Sequence, residues 1–211
     1  MQDEKFNIGV IGSGNIGGTL GKHFAKAGYP VMFSSRHPEQ LTALAEEAGH
    51  GAQVGTIEAA AGFGEVILLS IPFGKTPDLK EQVGTLEGKV LIDTNNYYPQ
   101  RDGDLPGNEM AEQNLLESEW TASHFPSASV AKAFNTIYYI TLGSRAFDHE
   151  NPMAIPFGAS DEKAKEITNT LIHDIGFAPV HVGDLRGTKS MQPGQKLYTK
   201  ELAPGELQKL L

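Results

Sequence analysis

A doubly wound α/β fold, with helices on both faces of a mostly parallel sheet, is predicted by three observations. Short apolar runs alternate with amphipathic helical segments through the first two thirds of the chain. Runs such as Val66 to Ile71 are continuously apolar, as a strand buried on both faces requires. A glycine-rich loop, Gly12-Ser13-Gly14-Asn15-Ile16-Gly17, joins the first apolar run to the first helical segment.

The elements follow in order. Phe6 to Ile11 reads as a buried strand. Ile16, Leu20, Phe24 and Ala27 recur at helical spacing, and Gly28 ends that helix. Val31 to Phe33 is a second strand, and Pro38 opens a helix with Leu41, Leu44, Ala45 and Ala48 on one face. Ala52 to Val54 is a brief third strand and Ile57 to Ala61 a short helix. Val66 to Ile71 stops at Pro72, and a helix spans Pro77 to Val83. Val90 to Ile92 is the fifth strand, ending in Asp93-Thr94-Asn95-Asn96. Pro99 to Gly107 reads as a polar loop. A helix carrying Leu115, Leu116 and Trp120 leads to a sixth strand, Ser129 to Ala133. Asn135 to Leu142 reads as a short helix or turn.

The pattern then changes to strand, helix and strand: Met153 to Phe157, a helix with Ala164, Ile167, Leu171 and Ile172 after a cap at Ser160, and Phe177 to Val182. From Gly183 on, the chain is Gly/Pro-punctuated and irregular. The expected division is a nucleotide-binding domain over 1–144 and a small β-α-β extension over 145–211. The extension is too short for its own core and so packs on the same sheet.

Composition narrows the function. The 211 residues carry a net charge of −9, which argues against nucleic-acid binding. There is no cysteine, so thiol nucleophiles, disulfides and zinc–thiolate sites are excluded. No apolar run approaches the roughly 18 residues of a membrane span. The polar start, Met1 to Lys5, does not read as a signal peptide, so the expected location is cytoplasmic. Seven histidines are scattered with none paired to an acid at ligand spacing, and no metal is expected.

The glycine loop has the G-x-G-x-x-G spacing of a dinucleotide site. Gly12 permits the tight turn, Gly14 lets pyrophosphate approach the backbone, and Gly17 lets the helix sit close to the sheet. The helix N-terminus offers free N–H groups to phosphate, with Ser13 and Asn15 adding polar contacts and Ile16 opening the helix. NAD-binding chains place an Asp or Glu after the second strand, roughly twenty residues on. Here Ser34, Ser35 and Arg36 stand there instead. A 2′-phosphate is repelled by a carboxylate and bound by hydroxyls and a guanidinium, so the site reads as NADP(H)-selective. His37 is placed to stack on adenine or, when protonated, to add positive charge. Ile71, Pro72 and Phe73 end the fourth strand and Thr94 and Asn95 the fifth, at the edge that lines the crevice of such sheets. Ala133 and Asn135 close the sixth strand beside them, where backbone and amide can hold a nicotinamide or a second planar ring. Lys132 is expected at a solvated strand edge and not as a general acid.

Together these segments resemble the NADP oxidoreductase, coenzyme F-420-dependent family, and the N-terminal reductase domain of the Steap metalloreductases. The likeness is carried by Gly12 to Gly17, Ser34-Ser35-Arg36, Ile71-Pro72, Asp93-Thr94-Asn95 and Lys132 to Thr136. The Met153 to Val182 unit fits as well. The resemblance implies a Rossmann-type fold and hydride transfer between NADP(H) and a deazaflavin or flavin. Such transfer rests on ring positioning, so no catalytic side chain is implied. Asn135 departs from the His at the matching position of the deazaflavin enzymes and agrees with the Asn of the Steap-like domains. The implied acceptor is therefore coenzyme F-420, FMN or FAD, or another small oxidant. Two alternatives stand beside it: a β-hydroxyacid or imine-type NADP reductase, and a non-catalytic NADP(H)-binding sensor. The first is disfavoured by the lack of a long helical segment after Gly183. A homodimer is the expected assembly, with no nucleic-acid or membrane partner.

Overall fold

The computed structural model describes residues 5–211, and Met1 to Glu4, the start of the expected polar lead-in, lie outside the described residues. In chain order the elements begin with β1 (Ile8–Ile11), α1 (Asn15–Lys26), β2 (Val31–Ser34), α2 (Thr42–Ala48), β3 (Gln53–Gly55) and α3 (Ile57–Phe63). They continue with β4 (Val66–Leu69), α4 (Thr76–Val83), β5 (Val90–Asp93), α5 (Pro99–Asp102), α6 (Leu105–Gln113) and α7 (Glu117–His124). The remainder is β6 (Ser129–Ala133), α8 (Tyr139–Arg145), β7 (Ala154–Ala159), α9 (Glu162–Asp174), β8 (Ala178–His181) and α10 (Pro204–Gln208).

The strands form one eight-stranded sheet in the order β3-β2-β1-β4-β5-β6-β7-β8. All pairings are parallel except β6 with β7. This is the doubly wound, Rossmann-like architecture expected. The strands are apolar throughout because both faces are covered. Along β4, Val66 and Leu68 join the cluster under α1 and α9, while Ile67 and Leu69 join the one under α3 and α4. Burying a side chain of this size stabilises by roughly 1.5–3 kcal/mol.

Several segments differ from the sequence reading. Pro99 to Gly107 is not a plain loop: α5 and the start of α6 occupy it. Asp102 drives this, because its carboxylate accepts from the N–H groups of Tyr98 (2.9 Å) and Gly74 (3.2 Å). Leu115 and Leu116 precede α7, whose first turn is closed by the Glu119 carboxylate accepting from the Leu116 N–H at 2.8 Å. The Asn135 to Leu142 helix starts later, at Tyr139. The cap of α9 is Asp161, which accepts from the Ala164 N–H at 2.9 Å; Ser160 accepts from the Val130 N–H instead. The tail is less irregular than expected. It contains a 3-10 segment, Leu185–Met191, and α10, and packs Met191, Leu197 and Leu207 against Ala154 and Val180.

Candidate functional site

β1 lies between β2 and β4, so the chain winds outward in opposite directions from that point and the carboxyl ends part there. A cleft opens above the gap. One lobe, about 730 Å³, is lined by Gly12, Gly14, Ser35, Arg36, Ser70, Ile71, Pro72, Lys75 and Arg101, among others. A second, about 430 Å³, shares Gly14, Ser70, Ile71, Pro72 and Arg101 and adds Asn15, Ile16, Thr94, Asn95, Asn135 and four tyrosines. The two lobes thus run on from one another across the sheet edge.

The glycines divide by what requires them. Gly12 has φ +92°, and a Cβ there would lie 2.1 Å from the Ser70 carbonyl oxygen. A Cβ on Gly17 would lie 2.0 Å from the Gly12 carbonyl oxygen. The fold itself needs both. Gly14 has φ −77° and nothing within 4 Å of its added Cβ, yet it lines both lobes. The protein leaves bare backbone there that its own packing does not demand, as a pyrophosphate approaching the N-terminus of α1 would.

At the far end of the first lobe, Ser35 and Arg36 follow β2. The Ser35 hydroxyl oxygen accepts from the His37 N–H at 3.0 Å, leaving its own proton to donate. Arg36 is exposed, and among the described residues no carboxylate pairs with it. The acids in this lobe are already neutralised. Asp78 pairs with Lys75 at 3.1 Å and Asp102 with Arg101 at 2.8 Å. Burial works to raise the Asp102 carboxyl, but hydrogen bonds from Arg101, Tyr98 and Gly74 outweigh it and hold the group below its usual range. Among the described residues Arg36 is thus the one cation of the lobe without an acid partner, and both acids of the lobe are already paired.

Not every expected residue joins the cleft. Ser34 is buried, its hydroxyl donating to the Val10 carbonyl at 2.8 Å within the sheet. Phe73 is buried against Trp120, with ring centroids 4.6 Å apart, and Ala133 is buried in the core. The Ser13 hydroxyl donates to the Ser34 carbonyl at 3.1 Å, bracing the loop. The His37 ring is exposed, 3.6 Å from Glu39, and does not line the lobe.

The second lobe is built on side chains. Phe134 leaves β6 at φ +62°, a strained turn for a non-glycine residue, and Asn135 follows at the wall. Asn135 Nδ2 donates to Asn96 Oδ1 and the Met191 carbonyl, both at 2.9 Å, which fixes its amide orientation. Asn95 Oδ1 accepts from the Ile71 N–H at 3.0 Å, which fixes its amide too. Each side chain is left with one buried atom unpaired: a donor, Asn95 Nδ2, and an acceptor, Asn135 Oδ1. Unpaired buried polar atoms are rare and point to a missing partner. A primary carboxamide such as that of nicotinamide carries one acceptor and one donor group, and so matches this pair.

The tail walls this lobe. Tyr198 and Thr199 line it, the Thr199 N–H donates to the Thr136 carbonyl at 3.0 Å, and the Tyr198 and Tyr98 hydroxyls are hydrogen-bonded to each other. Burial, then the bond to Tyr98, pushes the Tyr198 phenol well above its ordinary range. Tyr138 and Tyr139 complete the rim, beside the exposed Ile140. The tail segment Lys189 to Leu202, with Leu197-Tyr198, is one the sequence offers as a cover for the crevice; Tyr98, Tyr138 and Tyr139, which come from two other segments, carry no such signal.

Lys132 corrects the sequence reading most clearly. It is 1 % exposed, not at a solvated edge. Its Nζ donates to Asp93 Oδ2 at 3.0 Å and to the Asn95 carbonyl, with Glu117 Oε2 3.7 Å away. Burial pushes the Glu117 carboxyl up to about 7, against the pull of Lys132. Thr121 donates to Asp93 Oδ2 at 3.0 Å. The signal was present in the sequence. A charge at the end of each of two apolar runs, Asp93 and Lys132, places an acid and a base side by side if the runs pair in parallel, and they are register partners.

Comparison with known proteins follows the same lines. Residues 7–97 match the family model described as NADP oxidoreductase, coenzyme F420-dependent. Metalloreductase STEAP3 of Rattus norvegicus is 26% identical over 186 residues, covering 88% of this chain and 35% of the relative. The chain thus spans about a third of the length of the curated relatives it matches. The hypothetical protein SMa0349 of Sinorhizobium meliloti superposes with a TM-score of 0.81 at 26% identity, over 96% of this chain and 97% of that one. A candidate F420-dependent NADP-reductase from Arthrobacter sp. FB24 shares the fold, with a TM-score of 0.68 at 20% identity over 87% of each chain. The resemblance to the F420-dependent NADP oxidoreductases, and the similarity to the Steap proteins, are carried by these matches. Among the described residues no helix is long and apolar enough to cross a membrane.

Proposed function

We propose that this chain is an NADPH-dependent reductase that places a nicotinamide against a planar deazaflavin or flavin acceptor. The reading rests on one observation above the others. A bare glycine backbone, Gly14, and an unpaired guanidinium, Arg36, face the same lobe, whose acids are already matched to other cations. When bound, NADPH supplies the hydride.

The chain's own residues do the rest. The α1 N-terminus and the glycine loop receive the pyrophosphate, and Ser35 and Arg36 the 2′-phosphate. Asn95 and Asn135 orient the carboxamide through their unpaired atoms. Tyr98, Tyr138, Tyr139 and Tyr198 form an aromatic rim for a second flat ring and exclude water around it. The relatives' names, a metalloreductase and a candidate F420-dependent NADP-reductase, both describe reductases.

Titration calorimetry with NADP+ and NAD+ tests the nucleotide half. Arg36→Ala should weaken NADP+ by about ten- to a hundred-fold, the size of a charge-assisted contact, and leave NAD+ unchanged. An unchanged preference would sink it. Stopped-flow oxidation of NADPH by coenzyme F-420, FMN, FAD and a cyclic imine tests the acceptor half. Turnover of the imine alone would replace the proposed acceptor class, and tight NADPH binding with no turnover would favour a sensor.

A further inference from the structure

Beneath the second lobe lies a charged cluster that ring positioning alone does not call for. Lys132, Asp93 and Glu117 are all buried, with Thr121 and Asn95 bonded to them. A buried ion pair adds little net stability over apolar residues of equal volume. What this one does is hold a single residue of the cleft wall. Asp93 Oδ1 accepts from the Asn95 N–H at 2.9 Å, and Lys132 Nζ donates to the Asn95 carbonyl. The backbone of Asn95 is thus gripped on both sides by the two halves of one ion pair. Its side chain is anchored through Oδ1 to the Ile71 N–H, leaving only Nδ2 uncommitted. Thr121 holds the Asp93 oxygen that Lys132 also contacts.

We propose that Lys132 and Asp93 are positioning residues, which fix the Asn95 amide to receive the carboxamide oxygen of the nicotinamide. This rests on the nucleotide reading above and goes beyond it, because neither residue touches the ligand. The role accounts for why two full charges are buried at the end of adjacent strands, with Asn95 two residues past Asp93. Removing either charge leaves the nucleotide's phosphates their full set of contacts and frees Asn95 to turn.

The test compares two probes by calorimetry: NADPH, and 2′-phospho-ADP-ribose, which keeps the phosphates and lacks the nicotinamide. The wild-type protein should bind NADPH at least about ten-fold more tightly. In Lys132→Met, Asp93→Asn and Asn95→Ala that ratio should fall to within about two-fold, with 2′-phospho-ADP-ribose affinity unchanged. General structural damage would weaken both probes together. A variant series that keeps the wild-type ratio overturns the proposal, as does a wild-type protein that binds both probes equally. If the wild type binds neither probe, the nucleotide reading fails and the proposal falls with it. Should the two charge variants fail to fold, Asn95→Ala and Thr121→Val decide. The latter removes one hydrogen bond to Asp93 without stranding a charge, and both must lower the ratio for the proposal to stand.

Discussion

The two lobes of the cleft are made by different means. The first is backbone and surface: a glycine loop, a helix N-terminus, and cations reaching in from exposed positions. The second is side chains, with Asn95 and Asn135 buried and Tyr138 and Tyr139 exposed at the rim, held by bonds such as Asn135 to Met191 and Lys132 to Asp93 that join distant parts of the chain. The first suits a charged, hydrated group that needs field and access. The second suits an uncharged ring that must be held within a fraction of an ångström. The difference teaches that one crevice joins an end built from backbone and surface charge to an end built from interlocked side chains.

Four substitutions sharpen or break this contrast. The largest effect belongs to Gly12→Ala, which adds a Cβ at positive φ against the Ser70 carbonyl. Chemical denaturation should show a loss of about 3 kcal/mol or more. Next comes Glu117. Its carboxyl titrates near 7 in the folded protein against 4.5 when free, so the folded state binds the extra proton. The stability this contributes is complete below about 4.5 and is lost as pH rises through about 7. The folded-state groups acting on it are Lys132, Asp93 and the Tyr97 backbone. The difference in unfolding free energy between wild type and Glu117→Gln should therefore slope over that window, by on the order of 3 kcal/mol in total. A flat difference would mean the carboxyl is ionised throughout.

Gly14→Ala is the converse of Gly12→Ala. Melting temperature should hold or rise, while NADP+ affinity falls about ten-fold, a pattern expected only if the ligand and not the fold requires that glycine. The smallest effect is that of Tyr198→Phe, which removes one neutral hydrogen bond between tail and rim. It should lower stability by about 1 kcal/mol and leave 2′-phospho-ADP-ribose binding untouched. If it weakens that probe, the lobes are not separable.

The same contrast explains what was legible in the sequence. The succession of strands along the chain up to β6 and the glycine loop follow from short-range patterns, in which apolar periodicity and loop chemistry need only neighbours. Ser35 and Arg36 could be placed because they sit at a fixed offset from that loop. Ser34 could not be separated from them, since β2 ends at Ser34 only through its pairing with Ile11 of β1, which leaves Ser35 beyond the strand. The α5–α6 segment was hidden because the carboxylate of Asp102, not an apolar face, organises its start. Lys132 was misread for a related reason: its partners Asp93 and Glu117 come from other elements, and a lone lysine in a strand looks solvated until they are found.

The reversal at β6, where β7 runs against its neighbour, has a consequence for synthesis. By the time β6 leaves the ribosome, the glycine loop, Arg36 and Asn95 have all been made. The partners that close the tyrosine-rimmed side, the Met191 carbonyl, Tyr198 and Thr199, come more than fifty residues later. A nascent chain that already holds the glycine loop, Arg36 and Asn95 therefore still lacks the wall of the cleft that the tail supplies.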